Sequence, residues 1–503
     1  MFKKILIANR GEVALRIMRT CEDMGLGMVA VFSEADRLSP HVTYADEAYL
    51  IGPPAPRESY LDINVIIEVA KKSGADAIHP GYGFLAENAE FAEACVEAGI
   101  TFIGPSGDMI RRMGDKLEAR RIMQAAGVPI VPGATVEASS VDETVRQARE
   151  MGFPVLVKPA GGGGGKGMHV VESEEEMQSA LRIAASEAAS SFGNPTVYLE
   201  KYLNPVRHIE IQVLRDNFGK VLHMGERECS VQRRHQKIIE ECPSVAVSEE
   251  LRGRMVEAAS AAVNAVDYSG VGTVEFLLDG EGNFYFLEMN TRLQVEHTVT
   301  EAVTGLDLVQ EQILVASGRP LDLNQEEIQF NGWAIECRIS AEDPYNNFMP
   351  SPGRIGVLSE PGGPGIRVDS GVSEGFEIPL FYDPMIAKLI TWGRTRDQAI
   401  RRMRRALRDY RLLGIHHNIP FLLAIIQHEK FMAGELQTQF LDENEDLFEQ
   451  QPKTNAKIAA VVAAVLEYQG KSTRSSGAKA TQNGNGRGWK GSVQGSSWDR
   501  PWR

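Results

Sequence analysis

With five cysteines in 503 residues and no C-x-x-C pair, the sequence offers neither a disulfide scaffold nor a zinc framework to hold its fold. Cys21, Cys95, Cys229, Cys242 and Cys337 are scattered as reduced structural thiols would be, which points to a cytoplasmic setting. Long apolar runs are missing too. Nothing approaches the ~18 residues of a membrane span, and the short apolar run in MFKKILIANRGE ends before the length a secretory signal needs. Positive charge is outweighed, 53 Lys and Arg against 68 Asp and Glu, and the net charge of −15 argues against a general nucleic-acid or anionic-membrane surface, because those partners need extended basic patches. Any phosphate site must therefore be local.

What is present is ordinary globular composition, 43% hydrophobic and 24% charged. The length exceeds the ~250–300 residues at which single cores stop growing, so several domains are expected. Residues 3–8 (KKILIA) read as a buried strand, a helix opens at Gly11, and Met28–Phe32 reads as a second strand. The alternation continues to Thr101–Ile103 and predicts a Rossmann-like parallel α/β domain over residues 1–114. A second region, 115–330, carries a flap-like lid at about 131–203 and then antiparallel strands, among them a hairpin of Gly272–Leu278 and Asn283–Asn290 across DGEG. Residues 331–450 suggest an α+β unit. From 451 a helix is expected, then a Gly- and Ser-rich disordered tail with Trp489, Trp498 and Trp502 available for a docking contact. No internal repeat is detected.

The run GGGGGKG at Gly161–Gly167 is bounded by strands, so it is neither a Rossmann fingerprint, which opens a helix, nor a Walker A loop, since Lys166 is followed by glycine. Its bare backbone suits a flap over phosphates, or alternatively a flexible linker. Lys116 at a helix start and Lys158 at a strand end have the charge to meet phosphate oxygens, although either alone reads equally as a solvated lysine. The segment YLEKYL, with Glu200 and Lys201, suits a base edge or an ordinary strand.

The hairpin is more specific. Glu275 and Glu288 lie symmetrically about its turn and are expected to face each other, an arrangement tolerated when a cation lies between them. Asn290, two residues on, adds a third oxygen, and Mg²⁺ is the natural occupant. Phe284 and Phe286 are expected on that same face, against a merely exposed acidic surface. Beyond it stand Arg292, Glu296 and His297, a cation and a carboxylate placed to clamp and deprotonate an anion. A nearby arginine weakens a glutamate base, so burial is expected to counter it. The run QRRHQK, with Arg233, Arg234, His235 and Lys237, forms a basic island suited to phosphate or bicarbonate, or a solvated loop paired with Glu240 and Glu241.

Together IANRGEVALR, IHPGYGFLAEN, MGDK, VKPAGGGGGKGM, ECSVQRRHQKIIEE, GTVEF, FLEMNTRLQVEHTVTE, ECRISAEDP and PSPGRI resemble biotin carboxylase, the ATP-grasp component of acetyl-CoA, propionyl-CoA and pyruvate carboxylases. The resemblance spans nearly all of residues 1–450 and implies an ATP-grasp fold. It implies that Lys116, Lys158, Gly164, Gly165, Glu200, Lys201, Leu203, His208, Gln232 and His235 surround ATP, and that Glu275, Glu288 and Asn290 hold Mg²⁺ or Mn²⁺. It further implies that Lys237, Arg292, Gln294 and Val295 position bicarbonate, that Glu296 takes its proton, and that Arg338 steadies the biotin enolate. In the family, bicarbonate and ATP give carboxyphosphate before biotin is carboxylated. No Met-Lys-Met acceptor motif is present, so biotin is expected on a separate biotin carboxyl carrier protein, with carboxyltransferase subunits as further partners and a homodimer as the assembly. The nearest rivals are other ATP-grasp ligases, such as a purine-pathway carboxylating enzyme or half of a carbamoyl-phosphate synthetase, and a non-catalytic regulatory subunit.

Overall fold

The computed structural model describes residues 1–136, 141–159, 168–192 and 196–449. The glycine run with Gly164 and Gly165, and the chain from residue 450 with its three tail tryptophans, lie outside the described residues.

Strands β1 (Lys4–Ile7), β2 (Gly27–Ser33), β3 (Glu47–Gly52), β4 (Ala77–His79) and β5 (Thr101–Phe102) form a parallel sheet in the order β3-β2-β1-β4-β5. β1 is an unbroken apolar run because both faces are covered: Ile5 and Ile7 enter one core and Leu6 another. Helix Ile63–Ser73 starts where the Asp62 carboxylate accepts from the Asn64 and Val65 amides and stops at Gly74, whose φ of 68° suits glycine. The apolar pattern did not reveal β3, because at the sheet edge its residues are mostly exposed or half-buried.

A small antiparallel sheet follows, with β6 (Gly133–Val136), β7 (Val155–Pro159), β8 (His169–Val171) and β9 (Val197–Lys201) in the order β6-β9-β7-β8. Helices Val141–Met151 and Glu174–Phe192 pack on it around Val155, Val157, Leu181, Val197 and Leu199.

The largest sheet has eight antiparallel strands. It begins with β14 (Phe284–Asn290), β13 (Gly270–Asp279), β10 (Val206–Arg215), β11 (Val221–Arg233), β12 (Gln236–Cys242) and β15 (Trp333–Ser340), and ends with Met385–Gly393 and Ile366–Ser370. Hydrogen bonding runs without interruption across residue 330, since β15 pairs with β12 (Ile239↔Cys337, Glu241↔Ile335). Among the described residues no helix is long and apolar enough to cross a membrane. All five cysteines are buried and free.

The hairpin expectation is right about its acidic pair and wrong about its aromatics. Glu275 faces Glu288, but the register shifts between Glu275 and Phe276, so that Phe276 faces Phe286 and Leu278 faces Phe284. Leu287 is the extra residue. This bulge reverses side-chain parity within one strand, so Phe284 and Phe286 lie in the apolar core behind the sheet while Glu288 turns to the other face.

Candidate active site

Antiparallel registers build a charged row across the sheet. Glu288, Glu275, Glu210 and Arg227 occupy successive cross-strand positions on β14, β13, β10 and β11. Period two then adds His208 and Gln212, two residues either side of Glu210 on the same face. All but Glu288, which is exposed, are buried, and these five satisfy one another, as buried polar groups must. The Arg227 guanidinium donates to Gln212 (2.6 Å), Gln294 (2.7 Å), Thr300 (3.0 Å) and Thr273 (3.2 Å), and also to Glu210.

Lys237 is the hub. From β12, opposite Gln232, its ammonium donates to Glu210 (2.5 Å), Glu296 (2.5 Å) and Glu275 (2.9 Å). Desolvation alone would lower its pKa, but these three carboxylates raise it well above the ordinary lysine value. The Gln232 amide in turn donates to His208 Nδ1 at 2.9 Å, and His208 Nε2 stands 2.9 Å from Glu275 Oε2.

Glu296 lies almost fully buried between two cations, with Lys237 on Oε1 and Arg338 on Oε2 (2.9 Å). Burial raises its pKa, but Lys237, Arg338 and Arg227 more than offset this and hold it below the usual carboxylate range. Burial therefore does not win, contrary to the expectation from sequence. Arg292, four residues before it, interacts with Glu296 electrostatically but hydrogen-bonds elsewhere: its Nε donates to Glu87 (2.7 Å) and its NH2 to Asn290 Oδ1 (2.8 Å). Arg338 is anchored from behind by Glu240 (2.6 Å), whose carboxyl is raised to about 7 by burial against the pull of that arginine.

Glu275 and Glu288 fit a divalent cation. Glu275 accepts from Lys237, from Asn290 Nδ2 (2.9 Å) and from Gln294 Nε2 (2.7 Å). Glu288 receives no hydrogen bond among the described residues, and desolvation followed by the charge of Glu275 raises its pKa. A carboxylate left unneutralised opposite another is the donor set a hard cation takes. Asn290 Oδ1, the third oxygen expected from sequence, is taken up here by Arg292.

The basic island does not survive folding as one patch. Arg234 and His235, at φ 48° and 67°, form the tight turn of the β11–β12 hairpin and are exposed. Arg233 lies over the Phe348 ring, 4.0 Å from its centroid, and only Lys237 points into the site. Nor are Glu240 and Glu241 paired with that run: they meet Arg338 and Arg396 instead.

On the small sheet Lys158 meets Glu200 at 2.5 Å, with Arg120 at 3.7 Å from the same carboxylate. Desolvation lowers the pKa of Lys158, and the positive charges of Lys116 and Arg120 add to that against Glu200. Lys116 is exposed at the start of helix Lys116–Ala125 and acts electrostatically on Glu288 as well. Lys201 points elsewhere, to the Gly152 carbonyl at 2.6 Å, and Leu203 is half-buried in the link to β10. Sequence reasoning missed Glu210, Arg227 and Glu87, and it offered Glu240 a partner in the QRRHQK run rather than Arg338. The alternation in HIEIQV, polar residues within an apolar strand, carried the signal for Glu210.

The set can therefore bind anions at Lys237, Arg292 and Arg338, accept a proton at Glu296, and hold a divalent cation beside them. Family models match along the chain: "Biotin carboxylase, N-terminal domain" over residues 1–110, "Carbamoyl-phosphate synthase L chain, ATP binding domain" over 115–324 and "Biotin carboxylase C-terminal domain" over 336–443. Biotin carboxylase 1 of Bacillus subtilis is 56% identical over 88% of this chain and 98% of its own. A pyruvate carboxylase component from Methanothermobacter thermautotrophicus is 52% identical over 93% of this chain and 99% of its own. Among solved structures, the biotin carboxylase domain dimer of Hydrogenobacter thermophilus 2-oxoglutarate carboxylase, in complex with MgADP, ADP and bicarbonate, superposes with a TM-score of 0.84 at 47% identity, covering 89% of this chain and 99% of that one.

Proposed function

The chain belongs to the biotin carboxylase family, an ATP-grasp ligase family, and we propose on that footing how its own residues perform the ATP- and bicarbonate-dependent carboxylation of biotin. The observation that carries the assignment of roles is Glu296, held between Lys237 and Arg338 beside the Glu275–Glu288 pair.

Lys237, Arg292, Gln294 and Val295 position bicarbonate. An incoming anion competes for the Lys237 and Arg338 charges that hold the Glu296 carboxylate below its usual range, so binding itself strengthens the base that then takes the bicarbonate proton. Lys116, Lys158, Glu200, Lys201, Leu203, His208, Gln232 and His235, with Gly164 and Gly165, surround ATP. Glu275, Glu288 and Asn290 would hold Mg²⁺ or Mn²⁺, which would supply positive charge to neutralise the phosphates. A bicarbonate oxygen attacks the γ-phosphorus as the bond to the ADP oxygen breaks, giving carboxyphosphate and ADP. Carboxyphosphate breaks down to CO₂ and phosphate, the biotin ureido N–H passes its proton to that phosphate, and Arg338, braced by Glu240, faces the resulting enolate that takes up the CO₂. Positioning and charge neutralisation supply the catalysis.

The three family-model spans support a division into residues 1–114, 115–330 with a lid over about 131–203, and 331–450. The partners are a biotin carboxyl carrier protein and carboxyltransferase subunits of an acyl-CoA or pyruvate carboxylase, with a homodimer supported by the Hydrogenobacter domain dimer. Free buried thiols support a cytoplasmic setting. The test is ATP hydrolysis by the purified chain. Dependence on bicarbonate and a rise with free biotin support the reading, and indifference to biotin overturns it.

A further inference from the structure

Lys388 is wholly buried in the middle of strand Met385–Gly393, between Ala387 and Leu389. A buried ammonium is costly unless paired, and its closest contact is not a carboxylate. Its Nζ donates to the Val295 carbonyl at 3.0 Å, with Glu12 Oε2 at 3.2 Å and Asp369 Oδ2 at 4.0 Å. Arg367 already donates to both Asp369 oxygens (2.7 and 3.0 Å), which leaves Glu12, from the helix Gly11–Asp23, as the nearest carboxylate partner of the ammonium, with Asp369 and Glu336 acting on it at longer range.

Three successive carbonyls shape the turn before helix His297–Thr304. The Gln294 carbonyl meets His297 Nδ1 at 2.7 Å, and the Glu296 carbonyl accepts from the Val299 amide at 3.3 Å. Both pins are local. The Val295 carbonyl between them is held across 93 positions of sequence by Lys388. The Val295–Glu296 peptide carries the Glu296 side chain at one end and follows Gln294 at the other, so fixing its plane fixes both.

We propose that Lys388 is a positioning residue for the bicarbonate turn, holding the Val295–Glu296 peptide plane while Glu12 neutralises the buried ammonium. The proposal rests on the assignment of residues 294–296 to bicarbonate and proton transfer. It also makes the N-terminal helix and the C-terminal strand joint supports of the reacting carboxylate. The charges that act most strongly on Glu296 are Lys237, Arg338 and Arg227, and the effect proposed for Lys388 is geometric.

The experiment compares Lys388→Met, Lys388→Arg and the double variant Glu12→Gln/Lys388→Met in the full chain, reading Tm and the KM values for bicarbonate and ATP. Lys388→Met is expected to raise the bicarbonate KM about tenfold or more, with the ATP KM unchanged and the pH profile of kcat unmoved. The double variant removes the unpaired carboxylate and is expected to recover Tm but not the bicarbonate KM, since Val295 still lacks its donor. Lys388→Arg, which restores a donor, is expected to bring that KM back toward wild type. Recovery of the bicarbonate KM in the double variant, equal losses toward both substrates, or failure of a folded Lys388→Arg overturns the proposal. If Glu296→Gln leaves turnover intact, the parent assignment falls instead.

Discussion

Glu210 faces Glu275 in register across the β10–β13 ladder, and the Lys237 ammonium spans the two, 2.5 Å from one and 2.9 Å from the other. Two buried like charges are tolerable only through this third group. Lys237→Met should therefore cost stability as well as chemistry, by about 3–5 kcal/mol, the usual result of stranding buried charge. Bicarbonate-dependent ATP hydrolysis should fall by roughly 10²-fold or more. Urea denaturation read beside the assay checks both, and an unchanged midpoint would refute the hub role.

Glu296 titrates below its unfolded value, so its contribution to stability is present above the unfolded pKa of about 4.3 and is lost as pH falls through the folded one. Glu296→Gln should be less stable than wild type at pH 7, with the gap closing at acid pH. Denaturation at pH 7 and in steps descending below pH 4 measures this, and a gap that stays constant down that series counts against the ion pairs.

Glu336 shows the opposite sign. It lies opposite Glu240 in the β12–β15 ladder, and burial first, then that neighbour's charge, raises its pKa well above the ordinary value against Lys388 and Arg338. Its contribution is full below the unfolded pKa and is lost as pH rises toward the folded one. Glu336→Gln should gain Tm relative to wild type between pH 5.5 and pH 8. A fixed difference across that range would argue that the carboxyl is ionised throughout.

If Glu275 and Glu288 hold the cation, Glu288→Gln should raise the Mg²⁺ concentration needed for half-maximal ATP hydrolysis while leaving the fold intact, because Glu288 has no hydrogen-bond partner among the described residues to lose. Chelation should abolish turnover in both proteins. Equal Mg²⁺ dependence of variant and wild type would remove Glu288 from the site.

Local signals carried the parallel sheet, the hairpin and the facing glutamates, because β1 is buried on both faces and the DGEG turn is short. The bulge at Leu287 stayed hidden, since a one-residue shift leaves no mark in composition. The partners of Arg292 and Glu296 were also hidden: Glu87 stands 205 positions from Arg292 and Arg338 stands 42 from Glu296. Only the folded arrangement brings them together: a turn after β4 of the parallel sheet supplies Glu87, and β15 of the large sheet supplies Arg338. The QRRHQK run looked like one patch because sequence order does not show that a tight turn at Arg234 and His235 points alternate residues in different directions.

The uninterrupted sheet across residue 330 also governs the order in which a growing chain becomes competent. Lys237 and Arg338 stand on neighbouring strands, and β15 is itself flanked by Met385–Gly393. A nascent chain that has emerged only as far as the nucleotide-binding strands still lacks the edge that seats Arg338 against Glu296. The ribosome must deliver nearly 400 residues before Arg338 and both strands beside it are all present to enclose Glu296.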